Sequence, residues 1–108
     1  MKNILSTLVL LITLSSCSIS AYYAQDESAK YNPTTIENIK LYSNDINKEY
    51  TVLGSIAVDA AGSSTSAEKL LKKKASKIGA DAIIYCKLTK LNSVAQRTGI
   101  SGVAVKYN

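Results

Sequence analysis

The stretch from Ser64 to Ile84, "STSAEKLLKKKASKIGADAII", constrains the fold more than any other part of this chain. Ala67, Leu70, Leu71, Ala75 and Ile78 recur at three- and four-residue steps, which puts them in one apolar stripe along a helix. Thr65 and Glu68 have the spacing of a capping box, so the helix is expected to start there. Gly79 supplies the left-handed residue that commonly ends a helix. From Asp81 to Leu91, "DAIIYCKLTKL" changes to a period of two, with Ala82, Ile84, Cys86 and Leu88 on one side. Ile83, Tyr85, Lys87 and Thr89 take the other side. A one-sided helix followed at once by a strand needs a sheet to lie on.

Three further segments supply that sheet. "IENIKLYS" (36–43) alternates, with Ile39 and Leu41 opposite Asn38 and Lys40, and reads as a half-buried strand. "YTVLGSIAVDA" (50–60) is rich in β-branched residues, with Val52, Ile56 and Val58 on one face. Gly54 inside it predicts a bulge or a close approach of another backbone. "ISGVAVKYN" (100–108) places Val103, Val105 and Tyr107 on one face, after a polar loop "NSVAQRTG". The expected fold is therefore α+β: a four-stranded, mainly antiparallel sheet with one helix packed on one face, in the order β-β-α-β-β.

The amino terminus carries a different signal. Lys2 is followed by the apolar run "ILSTLVLLITL" (4–14) and then by "SSC". That is the charged, apolar and small-residue order of a secretion signal. It is too short for the roughly 20 residues that a helix needs to cross a bilayer. Leu14-Ser15-Ser16-Cys17 resembles the lipobox of bacterial lipoproteins, in which the cysteine thiol receives a diacylglycerol before cleavage. The resemblance implies three parts: a signal peptide (1–16), a lipidated amino terminus and tether (17–33), and a folded domain (34–108). Residues 18–33 show no sustained period and hold the only proline, Pro33, as a tether would. Tyr22, Tyr23 and Tyr31 in it would suit a membrane interface. Ser18 after the anchor favours the outer membrane in Gram-negative bacteria.

Composition narrows function mainly by exclusion. The formal charge is +5, a mild excess compatible with anionic lipid or a solvated face. No recognition motif for nucleic acid is present, and an exported chain has little access to it. There are two cysteines and no histidine. With Cys17 taken up as a thioether, Cys86 is left alone, without a disulfide partner. No ligand set for zinc or copper is apparent, and no cofactor is expected. No phosphate-cradling loop and no nucleophile with a recognisable base occur, so an enzyme is not expected.

Several residues are candidates for contact. Lys74 falls inside the apolar stripe, where a charge must snorkel, pair with Asp59 or Asp81, or face a partner. Lys69, Lys72, Lys73 and Lys77 lie on the flanks and back of the helix, as a solvated face or a surface for anionic lipid. Cys86 alternates with Ile84 and Leu88 and reads as a small core residue. Asp81 is expected to hydrogen-bond turn backbone.

"YTVLGSIAV" (50–58), "AEKLLKKKASKIGADAII" (67–84) and "GISGVAVKY" (99–107) together resemble the RcsF/YbjQ-like small-domain superfamily. The resemblance covers residues 34–108. It implies a small α+β domain displayed in the envelope, working through protein contacts. Three roles follow as expectations: a lipid-anchored binding protein of the envelope-stress sensor kind, an oligomeric accessory module built through sheet edges, or a ligand- or metal-binding domain.

Overall fold

The computed structural model describes residues 18–92 and 96–108. The apolar run and Cys17, on which the signal and anchor readings rest, lie outside the described residues. The elements are β1 (Ile19–Ala24), a single 3-10 turn (Ile36–Asn38), β2 (Lys40–Leu41), β3 (Tyr50–Ala61), α1 (Ser64–Ile78), β4 (Ala82–Asn92) and β5 (Arg97–Tyr107). The class is α+β, with one helix packed on a sheet. The sheet, however, has five strands in the order β1-β3-β5-β4-β2 and is mixed, because β2 pairs with β4 in parallel.

Two expectations need correction here. Of residues 36–43, Ile36–Asn38 form the 3-10 turn, and only Lys40 and Leu41 reach the sheet. Ile39 is nonetheless buried at 1 % exposure, so the alternation reported burial without a full strand. The fifth strand comes from the segment expected to be a tether. Ile19 to Ala24 pairs antiparallel with β3, from Ile19 opposite Asp59 to Ala24 opposite Gly54. Its burial is slight and irregular, which is why no period showed. Main-chain hydrogen bonds hold it, and these are blind to side-chain pattern.

Gly54 makes this pairing possible. The β3–β5 register shifts between Val52 and Gly54, as the interior glycine suggested. A Cβ on Gly54 would collide with the Tyr23 carbonyl and come within 2.8 Å of the Tyr22 ring. The same bulge turns Val52 outward and Leu53 inward, at 3 % exposure.

The helix starts two residues earlier than the capping box implied. Ser63 is its N-cap and makes no side-chain cap bond, so the Thr65/Glu68 pair lies inside the first turns. The carboxyl end is as expected: Gly79 has φ 88° and its N–H reaches the Ala75 and Ser76 carbonyls. Ala67, Leu71 and Ala75 are fully buried against Leu53, Ile56, Val58, Ile83, Ile100 and Ala104. Ser76 is buried as well, because residues 31–35 cross the helix end. The Thr34 N–H donates to the Ser76 carbonyl at 2.9 Å, and the Ser76 hydroxyl donates to the Thr34 carbonyl.

The sheet buries its other face too. Ala82, Ile84 and Val105 form a second cluster, closed by Tyr42, Ile46, Tyr50, Val103 and Tyr107. Val103, Val105 and Tyr107 therefore share a face as expected. The alternation in β4 breaks at Tyr85, which has φ 53° in a bulge between Ile84 and Lys87. Past this bulge Cys86 joins Ile83 on the helix side, the reverse of the regular pattern.

Candidate interaction surface

The helix that buries Ala67, Leu71 and Ala75 must carry its charges away from the sheet. Lys69, Lys73 and Lys77 follow at four-residue steps and are exposed, forming one cationic ridge. Lys72 and Lys74 are half-buried on either flank. None of the five makes an ion pair among the described residues. The pairing considered for Lys74 is not found, because both acids are engaged elsewhere. Asp59 binds Arg97 at 3.0 Å and Lys90 at 3.6 Å, while Asp81 lies 4.0 Å from Lys106. Lys74 is half-buried without an ion partner among the described residues, which fits a lysine snorkelling at the edge of the stripe.

Asp81 does not cap its turn. Its carboxylate accepts the Tyr107 N–H at 2.7 Å, and its own N–H donates to the Val105 carbonyl at 2.8 Å. It is a fastener between the helix-to-strand turn and the end of β5.

Cys86 is half-buried, with Sγ 3.5 Å from the Ile83 carbonyl. It borders an open depression of about 460 Å³ with Tyr42, Ser64, Glu68 and Leu88. Burial pushes its thiol above the ordinary value. The backbone at Tyr42 opposes this, and the Glu68 carboxylate adds to it. A thiol held protonated is a poor nucleophile. Among the described residues no cluster of three His, Cys, Asp or Glu could hold a metal ion.

The tyrosines of the amino-terminal segment have unequal roles. Tyr22 packs on the core and its hydroxyl donates to the Leu53 carbonyl at 2.8 Å, whereas Tyr23 is 82 % exposed. Tyr50 and Asp45 close the loop over the second cluster through a 2.7 Å hydrogen bond. That bond raises Tyr50 to about 12 and lowers Asp45.

The sequence did not announce the cluster at the far end of the sheet. Arg97 and Lys90 meet Asp59 there, and Leu88 and Leu91 stand 59 % and 74 % exposed beside them. Bulges bring these residues together, and no spacing rule foretells a bulge. Six residues of β4, Lys87 to Asn92, have β5 on one side and no strand on the other among the described residues.

No helix among the described residues is long and apolar enough to cross a membrane. No family model matches the chain, and no curated protein matches it. Among solved structures it is similar to a Francisella virulence factor, FvfA, seen in an orthorhombic crystal form. The TM-score is 0.57 at 17 % identity, covering 82 % of this chain and 97 % of that one. At such identity the likeness extends to the fold: this sheet-and-helix arrangement spans nearly the whole of the Francisella protein.

Proposed function

We propose that this chain is a lipid-anchored protein of the bacterial envelope, outer membrane included, that acts by binding another protein, in the manner of an RcsF-like stress-sensor component. The observation that carries the reading is "LSSC" closing an 11-residue apolar run (4–14), with Cys17 as the lipid acceptor. Support comes from the row of exposed lysines on α1, Lys69, Lys73 and Lys77. The lysine ridge of α1 is the surface for the partner, with Lys74 at its margin. Its charges are unpaired among the described residues, so an acidic partner gains attraction without displacing an internal bond.

Photo-crosslinking in the native host tests this, with reactive side chains at positions 74, 85 and 107 and mass spectrometry of the adducts. One dominant adduct to another envelope protein supports a binding protein and identifies its partner. Absence of any heterologous adduct at position 74 would sink the lysine-ridge reading.

One observation favours a second reading, the oligomeric module. β1 is a six-residue edge strand, "ISAYYA", without a charge or a proline to discourage pairing with another sheet. Adducts of the chain only to itself, with a stable oligomer in detergent, would favour that reading and end the sensor analogy.

A further inference from the structure

We infer that the end of the sheet carrying Ile19, Leu88 and Leu91 rests directly on the membrane, contacting anionic lipid headgroups. The inference rests on the reading of Cys17 as the lipid anchor. It adds an orientation and a second, non-covalent contact with the bilayer.

Chain length is the first argument. Between Cys17 and Ile19 stands only Ser18, and β1 pairs with β3 from its first residue, Ile19 opposite Asp59. Two residues of chain span no more than about 7 Å. A headgroup layer is roughly 5–8 Å deep on each side of the hydrocarbon. An acylated Cys17 therefore keeps the start of β1 within or just above the headgroups. Ser18 is itself fastened to the sheet, its hydroxyl accepting the Ala61 N–H at 3.2 Å. No slack remains to lift the domain away.

Register then says what else reaches the surface. Ile19 is opposite Asp59, Asp59 opposite Gly99, and Gly99 opposite Lys90. Leu91 follows one residue farther towards the same end, opposite Thr98. The row from β1 to β4 crosses three strand spacings, about 14 Å. All four strands thus present this end at nearly one level.

The chemistry of that end fits a lipid interface. Ile19 is 61 % exposed, Leu88 59 % and Leu91 74 %, three of the most exposed large apolar side chains described. Leu88 and Leu91 border an open depression of about 490 Å³ beside the start of α1, large enough to admit acyl or glycerol carbons. Around them stand Lys87, Lys90 and Arg97. Two acids stand with them, Asp59, already shared between Lys90 and Arg97, and Glu68, which borders the neighbouring depression with Lys87 and Leu88, so three cations against two acids keep a net positive charge. Apolar tips ringed by cations suit the boundary between acyl chains and anionic headgroups.

The chain has no tryptophan, so a single introduced indole is an unambiguous probe. The full chain would be produced in a lipoprotein-processing bacterium as Leu91→Trp, Ile19→Trp or, at the far end, Asn108→Trp. Each protein is reconstituted in phosphatidylethanolamine–phosphatidylglycerol vesicles carrying a headgroup-level quencher. Intact mass first reports the acyl groups on Cys17. With acylation present, the inference expects blue-shifted, quenched emission from positions 91 and 19, and unshifted, unquenched emission from position 108. Equal exposure of positions 91 and 108 overturns the orientation while leaving the anchor intact. A blue shift at position 91 without quenching means that protein, such as a second copy, covers Leu91, and also overturns it. A chain without acyl groups removes the anchor reading, and the orientation falls with it. Replacing phosphatidylglycerol by phosphatidylcholine is expected to weaken quenching at position 91, and no change would remove the role of the cations.

Discussion

The carboxylate of Asp81 accepts the main-chain N–H of Tyr107 at 2.7 Å, tying the turn after α1 to the last residue of β5. The two positions are 26 residues apart, and the bond closes the sheet next to the second apolar cluster. Losing a hydrogen bond to a charged group typically costs about 1.5–3 kcal/mol. Asp81→Ala is expected to lower stability by that amount in urea unfolding. Asp81→Asn keeps an acceptor oxygen and should lose clearly less. Equal losses in the two variants would refute the role assigned to this bond.

Gly54 decides whether β1 stays on the sheet. A side chain there meets the Tyr23 carbonyl, which cannot move without breaking the β1–β3 ladder. Gly54→Val is expected to release residues 18–26 to proteolysis while α1 and β3–β5 stay folded. Limited digestion with mass mapping reads this out, and a cleavage pattern like that of the parent chain contradicts it.

Leu71 is fully buried beneath α1. Leu71→Ala should cost about 2–5 kcal/mol, in the range for a cavity in a close-packed core. Denaturant unfolding gives the value. A loss well under ~1 kcal/mol would mean that the helix sits less tightly than its burial states.

Lys74 is half-buried and makes no ion pair among the described residues. Lys74→Met should leave stability within about 0.5 kcal/mol of the parent chain or raise it. A fall of several kcal/mol would reveal a buried ion pair. On the proposed partner surface, the same variant is expected to weaken capture of the partner at a second crosslinking position such as 85.

The Cys86 thiol is pushed above its ordinary value, chiefly by burial. The thiolate is the reactive form, so it becomes abundant only at a higher pH than in an exposed cysteine, whose pKa is about 8.5. Alkylation of the native chain by iodoacetamide should be slow at neutral pH, with a rate still rising above the midpoint for free cysteine. By the sign of this shift, the stability gained by keeping the thiol neutral is fully present below the ordinary cysteine value and is lost as pH rises from there through the higher folded-state value. A fast, pH-flat reaction at pH 7 would show that Cys86 is activated instead.

Legibility in the sequence followed the range of the interaction. The stripe Ala67, Leu71 and Ala75, the stop at Gly79 and the shared face of Val103, Val105 and Tyr107 rest on contacts between near neighbours in chain or strand, and all are found. The capping box at Thr65 and Glu68 was read too far along, because Ser63 starts the helix without using its side chain. β1 was hidden because its hold on β3 is made by backbone, with little burial to print a period. In β4 the pattern misled from Tyr85 onward, since one bulge moved Cys86 to the helix side.

The sequence by itself determined a helix with one apolar face, strands enough to cover it, and an apolar amino-terminal run ending in Cys17. Those features depend on local periodicity and residue chemistry, which the order of side chains states directly. Tertiary structure alone decided that the supposed tether is an edge strand and that a bulge at Tyr85 reassigns faces along β4. It also brought Asp59, Lys90 and Arg97 together beside Leu91. These outcomes depend on hydrogen bonds between backbones far apart in the chain. A strand pairing has no preference of its own until its partner has taken shape, so only the assembled sheet could choose it.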